Sequence, residues 1–296
     1  MLMRVAAGQA SNLLSQSLMT PFFRALRVVV AALGLCSAGR SATAQTTDSS
    51  SRDTRLFRQK DALVAIGVIA ATALTMTADE SLARSFQRQS VQTNSFLKGT
   101  ANVFNTAGFP GSAILTAVTY FYGLQQHSRT VASIGMHTGE AIVLGGVLSE
   151  GLQMAIGRAR PSRDINDARN FAPGKGFSND DYTSLPSAHV TVAFAAATAV
   201  GREVARSWPA RAKYVWPMGY TAASLVGLSR MYKNKHWASD VVAAAGLGSY
   251  SAVMFDRYNQ THPNNIFERV FLPVSIVPQR RGVALVWSME HHREGW

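Results

Sequence analysis

The chain has 296 residues, of which 47% are hydrophobic and 16% are charged, and its formal net charge is +12 at pH 7. Its mean hydropathy of +0.03 excludes a chain made entirely of lipid-embedded spans. No central segment has the composition of a linker. The sequence therefore predicts one domain of roughly 200 to 230 residues with flanking segments. A net positive charge is compatible with an anionic substrate or a membrane surface. The basic residues are scattered along the sequence, however, and an ordinary solvated surface accounts for them equally well. No nucleic-acid partner is predicted.

Residues 1–44 are predicted to be an export signal. Two arginines precede the apolar run 28–35, and a small-residue cleavage site ends at Ala44. The stretch before the run is long for a signal, so Met19 is an alternative start. Cleavage would remove Cys36, the only cysteine, and leave a chain without disulfides. It would also remove four arginines and no acid, which lowers the net charge from +12 to +8.

Apolar helical stretches recur in the body of the chain. Residues 45–60 are polar and predicted to be flexible, 61–256 form the predicted helical domain, and 257–296 form a tail. The Ala, Leu, Val and Met content of the apolar stretches favours helix over strand. The six predicted helices cover residues 62–78, 110–124, 138–156, 189–205, 215–229 and 237–255. The connection 162–185 is rich in charge, Asn and Gly, and is predicted to be an ordered functional loop or lid.

The tail differs from the helical domain in its pattern. Hydrophobic residues alternate on both sides of a turn signal at 278–282, which predicts a small β-hairpin. The predicted fold class is therefore all-α, a six-helix bundle with a C-terminal β-hairpin. One acidic residue and two histidines follow, interpreted as a solvated terminus rather than a metal site: Glu290, His291 and His292.

Ser187 and His189 stand directly before an apolar helix, in the sequence Pro186-Ser187-Ala188-His189. Helix N-capping alone explains a serine in this place. A helix N-terminus also presents free N–H groups and a positive dipole end, which favour a bound phosphate. By itself this signal does not decide between the two interpretations.

His236 and Asp240 are four residues apart at the start of the last predicted helix, so their side chains lie on one face. A carboxylate bonded to one imidazole nitrogen leaves the other nitrogen as an oriented nucleophile. An isolated pair of this kind is more simply a helix-surface contact. Nearby arginines change the balance, because guanidinium groups match phosphate oxygens. They are Arg230, six residues before His236, and Arg158 and Arg160 after the third predicted helix.

The chain resembles, in three motifs, the type 2 phosphatidic acid phosphatase and vanadium haloperoxidase superfamily. The motifs are, in order, Arg160-Pro161, Pro186-Ser187-x-His189 and Ser229-Arg230-x5-His236-x3-Asp240. The first two are separated by 24 residues and the last two by 39, and the six-helix pattern also resembles that family. The resemblance implies a metal-independent phosphatase that hydrolyses phosphate monoesters or pyrophosphates through a phosphohistidine.

The resemblance also implies a role for each matching residue. His236 would attack phosphorus, oriented by Asp240, and His189 would protonate the leaving group and then activate water. The residues implied or considered as donors to the phosphate oxygens are Arg160, Arg230, Ser187, the Ala188 amide, Gln153 at the rim, and Arg158. No metal or other cofactor is expected.

Two positions depart from the family pattern. Gln153 stands where the first motif of the family begins with lysine, so transition-state stabilisation would weaken unless Arg158 compensates. Ala188 stands where glycine is usual, which keeps the backbone amide but adds a methyl group. Two alternatives therefore stay open: a vanadate-dependent haloperoxidase-like enzyme, the one case with vanadate as cofactor, and a catalytically impaired phosphate-binding relative.

The sequence does not decide whether the chain crosses a membrane. The apolar runs are shorter than the roughly 20 residues that a bilayer requires, and Glu140 and Glu150 lie within one of them. The favoured interpretation is an exported, periplasmic domain that is soluble or peripherally attached to a membrane. The alternative is an integral inner-membrane protein with a periplasm-facing site. The expected partner is a phosphorylated lipid or a phosphorylated small molecule.

Overall fold

The computed structural model describes residues 55–262, 265–272, 274–279 and 282–287. In these ranges the fold is all-α with one two-stranded sheet. The helices are α1 (Gln59–Met76), α2 (Asp79–Phe86), α3 (Gln89–Gln92), α4 (Ser95–Thr106), α5 (Ser112–Gln125), α6 (Arg129–Ile156), α7 (Ala188–Ser207), α8 (Pro209–Tyr232), α9 (Ala238–Thr261) and α10 (Ile266–Phe271). The predicted signal peptide, residues 45–54 and residues 290–292 lie outside the described ranges, so what was predicted for them stays a prediction.

The all-α class is confirmed, but the predicted count of six helices is too low for the described part of the chain. The six predicted helices correspond to α1 and to α5 through α9. The main omission is α4, whose Leu97, Ala101 and Phe104 face the core at helical spacing. The predicted start of the first helix was also too late, because Gln59 and Lys60 already belong to α1.

The core lies where α7 packs against α6, α8 and α9. Val190 and Phe194 of α7 are fully buried in the main hydrophobic cluster together with Val241 of α9 and, almost fully, Val226 of α8. Burial of such side chains is the dominant favourable term in folding. The packing places the first turns of α7 and α9 close to the last turn of α8.

Helices α1 and α9 run antiparallel, which defines two ends of the bundle. Asp61, near the start of α1, is paired with Arg257, near the end of α9, with 2.5 Å between Oδ2 and Nη1. Asp79, just after α1, accepts a hydrogen bond from the backbone N–H of Ser239 in the first turn of α9 at 2.9 Å. The start of the described chain therefore lies at the opposite end from the start of α9.

The predicted C-terminal hairpin is present. Strands β1 (Val274–Gln279) and β2 (Gly282–Trp287) pair antiparallel, with Val274 opposite Trp287 and Gln279 opposite Gly282. The hairpin follows α10 and contacts α5. It is therefore an appendage to the helical domain, as the alternation in the sequence indicates.

In the part of the chain that the structure describes, three helices are long and apolar enough to cross a membrane, namely α1, α6 and α9. They have 18, 28 and 24 residues, so the sequence-based estimate of runs too short for a bilayer was wrong for α6 and α9. Only 6% of the apolar window of α1 is buried, and its outward residues are large and apolar: Leu63, Ile66, Ile69 and Leu74. Helix α6 likewise exposes Val143 and Val147. An apolar surface of this extent favours association with a membrane.

Candidate active site

The loop from residue 157 to residue 187 brings the end of α6 to the starts of α7 and α9. Gly157 ends α6 with a φ of +62°, and a Cβ there would collide with the Ala172 carbonyl group, so glycine is required. The loop then folds back on itself, with Arg158 bridged to Phe171. The Arg160 N–H donates to the Asp181 carbonyl at 2.8 Å. The prediction of an ordered loop in this region is confirmed.

His189 and His236 come from two different helix starts. His189 is the second residue of α7, whereas His236 lies two residues before α9 and is 3% exposed. The Nδ1 atom of His236 is 2.7 Å from the Ser184 carbonyl oxygen. Because a carbonyl oxygen can only accept, the proton is assigned to Nδ1, which leaves Nε2 with a free lone pair. This is the tautomer that a nucleophilic imidazole requires.

Of the buried polar atoms that lack a partner within the described ranges, three are donors on motif residues: Ser187 Oγ, Arg160 Nε and Arg230 Nε. Ser187 occupies the N-cap position of α7, yet its side chain makes no capping hydrogen bond. An unsatisfied buried polar group costs about 1–3 kcal/mol, so three of them on motif residues indicate a site that a ligand completes. An anion with several oxygens can accept from all three.

Each of the two arginines is held by a neighbour that sequence reasoning missed. Arg160 Nη2 donates to Thr183 Oγ1 at 2.7 Å, and Arg230 Nη1 donates to Asn105 Oδ1 at 2.5 Å. Asn105 lies at the end of α4, the helix that was not predicted, and Thr183 lies in the loop. Neither neighbour is charged, so both guanidinium groups keep their positive charge for a ligand.

The charges of the two arginines act on both imidazoles. Burial, together with the charges of Arg230 and Arg160, lowers the pKa of His189 to about 4. The same causes, in the same order, hold the pKa of His236 well below its ordinary value. Burial and the charge of Arg160 lower the pKa of Arg230 to about 10. The pocket therefore concentrates positive charge and favours an anion.

The predicted direct contact between Asp240 and His236 is absent. The nearest carboxylate oxygen is 4.0 Å from His236 Nδ1, which exceeds a hydrogen bond. Asp240 Oδ2 accepts instead from Ser184 Oγ at 2.6 Å and from the Trp237 N–H at 2.8 Å. Asp240 therefore acts on His236 through Ser184, because the Ser184 hydroxyl binds the carboxylate while its carbonyl binds the imidazole.

The assignment of Arg158 as a phosphate donor was wrong. Its side chain is completely buried. Nη1 is 2.6 Å from Asp240 Oδ1 and Nη2 is 2.7 Å from Asp79 Oδ2, so the guanidinium group is neutralised by carboxylates. The aromatic rings of Phe171 and Trp237 lie 5.4 and 5.5 Å from its central carbon. Arg158 is a structural cation behind the pocket.

The assignment of Gln153 to the rim of the pocket was also wrong. Gln153 is 4% exposed, and its Nε2 donates to the Pro186 carbonyl at 2.5 Å. The side chain thus ties α6 to the residue just before Ser187, and its amide is not free to bind a phosphate. Ala188 is the first residue of α7, which is compatible with its amide facing an anion, and that role stays a prediction.

The donors of the pocket suit a tetrahedral oxyanion rather than a cation. Guanidinium, hydroxyl and imidazole N–H groups are complementary to phosphate oxygens. Vanadate has similar geometry and would meet the same donors. The residues that the structure describes include no group of three or more His, Cys, Asp or Glu side chains that could hold a metal ion.

Part of the chain is similar in sequence to known proteins. Residues 134–263 match the sequence model of the PAP2 superfamily. Lipid A 1-phosphatase of Porphyromonas gingivalis is 35% identical over 106 residues, which is 36% of this chain and 19% of that protein. One similar crystal structure is described as the first transmembrane PAP2 type phosphatidylglycerolphosphate phosphatase, from Bacillus subtilis. The alignment includes 71% of the present chain and 100% of the Bacillus chain, with 20% sequence identity and a TM-score of 0.47.

The region that matches the PAP2 superfamily, residues 134–263, makes up less than half of the chain. The matched region contains all three motifs, from Gln153 to Asp240, so the resemblance drawn from the motifs is confirmed. The chain spans about a fifth of the length of the curated relative it matches. Helices α1 to α5 lie outside the matched region, and Asn105 of α4 nevertheless contacts Arg230 in the pocket.

Proposed function

We propose that this protein is a metal-independent phosphatase that hydrolyses a lipid phosphate monoester or pyrophosphate through a phosphohistidine at His236. The observation that carries the proposal is the set of three unpartnered buried donors, on Ser187, Arg160 and Arg230, beside the buried imidazole of His236 and the partly buried imidazole of His189. A phosphoryl group supplies the acceptors that these donors lack. Phosphoryl transfer depends mainly on positioning and on stabilising negative charge, which such a pocket provides.

In the first step, the Nε2 lone pair of His236 attacks phosphorus and forms a P–N bond. The P–O bond to the leaving group breaks, and the departing oxygen takes a proton from His189. Arg160, Arg230 and Ser187 stabilise the equatorial oxygens of the transition state. The hydrogen bond from Nδ1 of His236 to the Ser184 carbonyl stabilises the charge that develops on the ring.

In the second step, His189 accepts a proton from a water molecule, which attacks phosphorus. The P–N bond breaks, inorganic phosphate forms, and His236 regains its lone pair. His189 must be protonated when the first step begins, although its pKa is about 4 in the protein without a ligand. A bound phosphoryl dianion offsets the charges of Arg230 and Arg160, so substrate binding raises the pKa of His189 and supplies the acid form.

A lipid substrate is supported by the surroundings of the pocket. A small apolar cavity lies between α4 and α8 and includes Ser229, the neighbour of Arg230. Its apolar lining includes Leu97, Ala101, Leu225 and Leu228. The same two helices join at the Asn105–Arg230 contact. A hydrocarbon chain lying in this cavity would have its phosphate end close to the arginines.

Membrane embedding is part of the proposal. The three apolar helices and the outward apolar side chains of α1 support an integral protein over the soluble domain favoured from the sequence. Arg160 follows the apolar helix α6 by four residues and His236 precedes the apolar helix α9 by two. The pocket therefore lies at the ends of these helices, where a lipid headgroup would reach it.

The test is phosphate release by the purified protein in detergent micelles. We expect release from a long-chain lipid phosphate, persistence of activity in EDTA, and loss of activity in His236→Ala and His189→Ala. His262→Ala is the matched control, because His262 is an exposed histidine at the opposite end of α9. Equal activity of wild type and His236→Ala would refute the proposal. Halide oxidation with bound vanadate and no hydrolysis would favour the haloperoxidase alternative, and anion binding without turnover would favour the impaired relative.

A further inference from the structure

Asp79 is a buried carboxylate that connects the first helices of the chain to the pocket. It is the first residue of α2 and is completely buried. Its Oδ1 accepts from the Ser239 N–H at 2.9 Å and its Oδ2 accepts from Arg158 Nη2 at 2.7 Å. The Ser239 hydroxyl donates to the same Oδ2. Asp79 lies 55 residues before the region matched by the family model, which begins at residue 134, and none of the motifs includes it.

Asp79 and Asp240 hold Arg158 from two sides. Arg158 Nη1 donates to Asp240 Oδ1 at 2.6 Å, and all three side chains are fully buried. A buried guanidinium group requires such partners, and removing one of them leaves charges uncompensated. The position of the Asp240 carboxylate therefore depends on Arg158, which is held in turn by Asp79 and by the Ala168 carbonyl oxygen.

The chain of contacts ends at the nucleophile. Asp240 Oδ2 accepts from the Ser184 hydroxyl at 2.6 Å, and the Ser184 carbonyl oxygen is 2.7 Å from His236 Nδ1. Asp79 also accepts from the N–H of Ser239, which lies in the first turn of α9, three residues after His236. Asp79 thus constrains His236 from both sides, through Ser184 and through the start of α9.

We propose that Asp79 is a positioning residue for the nucleophile His236, acting through Arg158, Asp240 and Ser184. The inference rests on the proposed phosphatase function. With two carboxylates and one guanidinium group, the network carries a formal charge of −1 behind His236, opposite in sign to Arg160 and Arg230 in front of it. Neutralising Asp79 removes that charge and loosens the imidazole, without removing any group that binds the phosphate.

The test compares Asp79→Asn with Glu80→Gln in the full-length protein in detergent micelles. Both variants remove one negative charge from adjacent positions of α2, but the Glu80 side chain is 39% exposed and pairs with Arg84. Glu80 Oε1 also accepts from the Ala168 N–H at 3.4 Å, and the glutamine amide oxygen can keep that hydrogen bond. We expect Asp79→Asn to lower kcat by about 10- to 100-fold, because a misplaced reacting group slows the chemical step. The KM and the inhibition constant of vanadate should each change by less than about threefold, because the groups that bind the phosphate are unchanged. Glu80→Gln should match wild type. The rate of labelling of His236 by substrate phosphate should fall with kcat.

Ser239→Ala keeps the inference testable if Asp79→Asn does not fold. This variant removes one hydroxyl contact to Asp79 and one to Arg158, and we expect a smaller loss of kcat with KM unchanged. If the wild type is active and the kcat of Asp79→Asn equals that of Glu80→Gln, the inference is overturned. If the Asp79→Asn protein misfolds and the Ser239→Ala protein has the kcat of wild type, the inference is also overturned. A wild type that releases no phosphate from any substrate would refute the proposed function instead, which separates the two failures.

Discussion

The carboxylate of Asp240 lies 4.0 Å from the imidazole of His236, while the Ser184 carbonyl oxygen lies 2.7 Å from the same Nδ1 atom. The residue that orients the nucleophile directly is therefore Ser184. Its hydroxyl, bound to Asp240 at 2.6 Å, fixes the position of its carbonyl. Two residues that look like a simple pair in the sequence are connected through a third residue from a different segment.

This relationship predicts that Ser184→Ala impairs turnover. Loss of the hydroxyl frees the Ser184 backbone from Asp240, so the carbonyl no longer holds the imidazole at one angle. We expect kcat to fall by about tenfold or more with little change in KM, measured as phosphate release in micelles. Ser178→Ala is the control, because that exposed loop serine bonds only to a nearby backbone carbonyl. Wild-type kcat in Ser184→Ala would show that Asp240 orients His236 without Ser184.

Arg158 and Arg160 are predicted to have different mutant phenotypes, although they are two residues apart. Arg158→Met leaves Asp79 and Asp240 buried without their cation, so it should destabilise the protein by about 3–5 kcal/mol, seen as a lower midpoint of thermal unfolding. Arg160→Met removes a donor to the ligand and should weaken vanadate inhibition while leaving the unfolding midpoint near that of wild type. A stable Arg158→Met protein with a raised KM would contradict these roles.

Gln153→Lys is predicted to give little gain in activity. The Gln153 amide is committed to the Pro186 carbonyl at 2.5 Å, and a lysine there would donate to the same oxygen instead of entering the pocket. We expect kcat/KM within about threefold of wild type, on the order of one weak hydrogen bond. An increase of tenfold or more in kcat/KM would show that the missing lysine limits catalysis and that the position does face the ligand.

Anion binding should be accompanied by proton uptake. His189 has a pKa of about 4 before binding, so it is neutral at pH 6, and a bound oxyanion raises its pKa by offsetting the charges of Arg230 and Arg160. Calorimetric titration of vanadate or orthophosphate in buffers of different ionisation enthalpy measures this uptake. We expect a positive uptake at pH 6 that is reduced in His189→Ala. Identical proton counts in the two proteins would contradict the assignment of His189 as the acid.

The sequence predicted which residues line the pocket. Spacing and residue type placed Arg160, Ser187, His189, Arg230 and His236 in one site, and the electrostatic coupling of the arginines to both imidazoles agrees with that placement. The helical domain and the hairpin were also predictable, because the periodicity of apolar residues is a local signal. The signal for α4 was present at Leu97, Ala101 and Phe104, but the polar residues between them obscured it.

The support behind the pocket was not predictable, because it depends on contacts between distant segments. Arg158 was assigned to the ligand since an arginine near the motif suits phosphate, but burial against Asp79 and Asp240 decides its role. Ser184 acts on His236 through a backbone carbonyl, and every residue type has one. Asp79 precedes Arg158 by 79 positions, and no short pattern connects them.

The most direct test of the account is transfer of phosphate from a labelled substrate to the protein. The wild type, mixed with a lipid phosphate labelled in its terminal phosphate and quenched in alkali, should carry the label on His236, as located by peptide mapping. His189→Ala should acquire label more slowly than wild type and then retain it longer, because His189 serves both as the acid of the first step and as the base of the second, and His236→Ala should carry none. Turnover that persists in His236→Ala, or label found on another residue, would contradict the proposed mechanism.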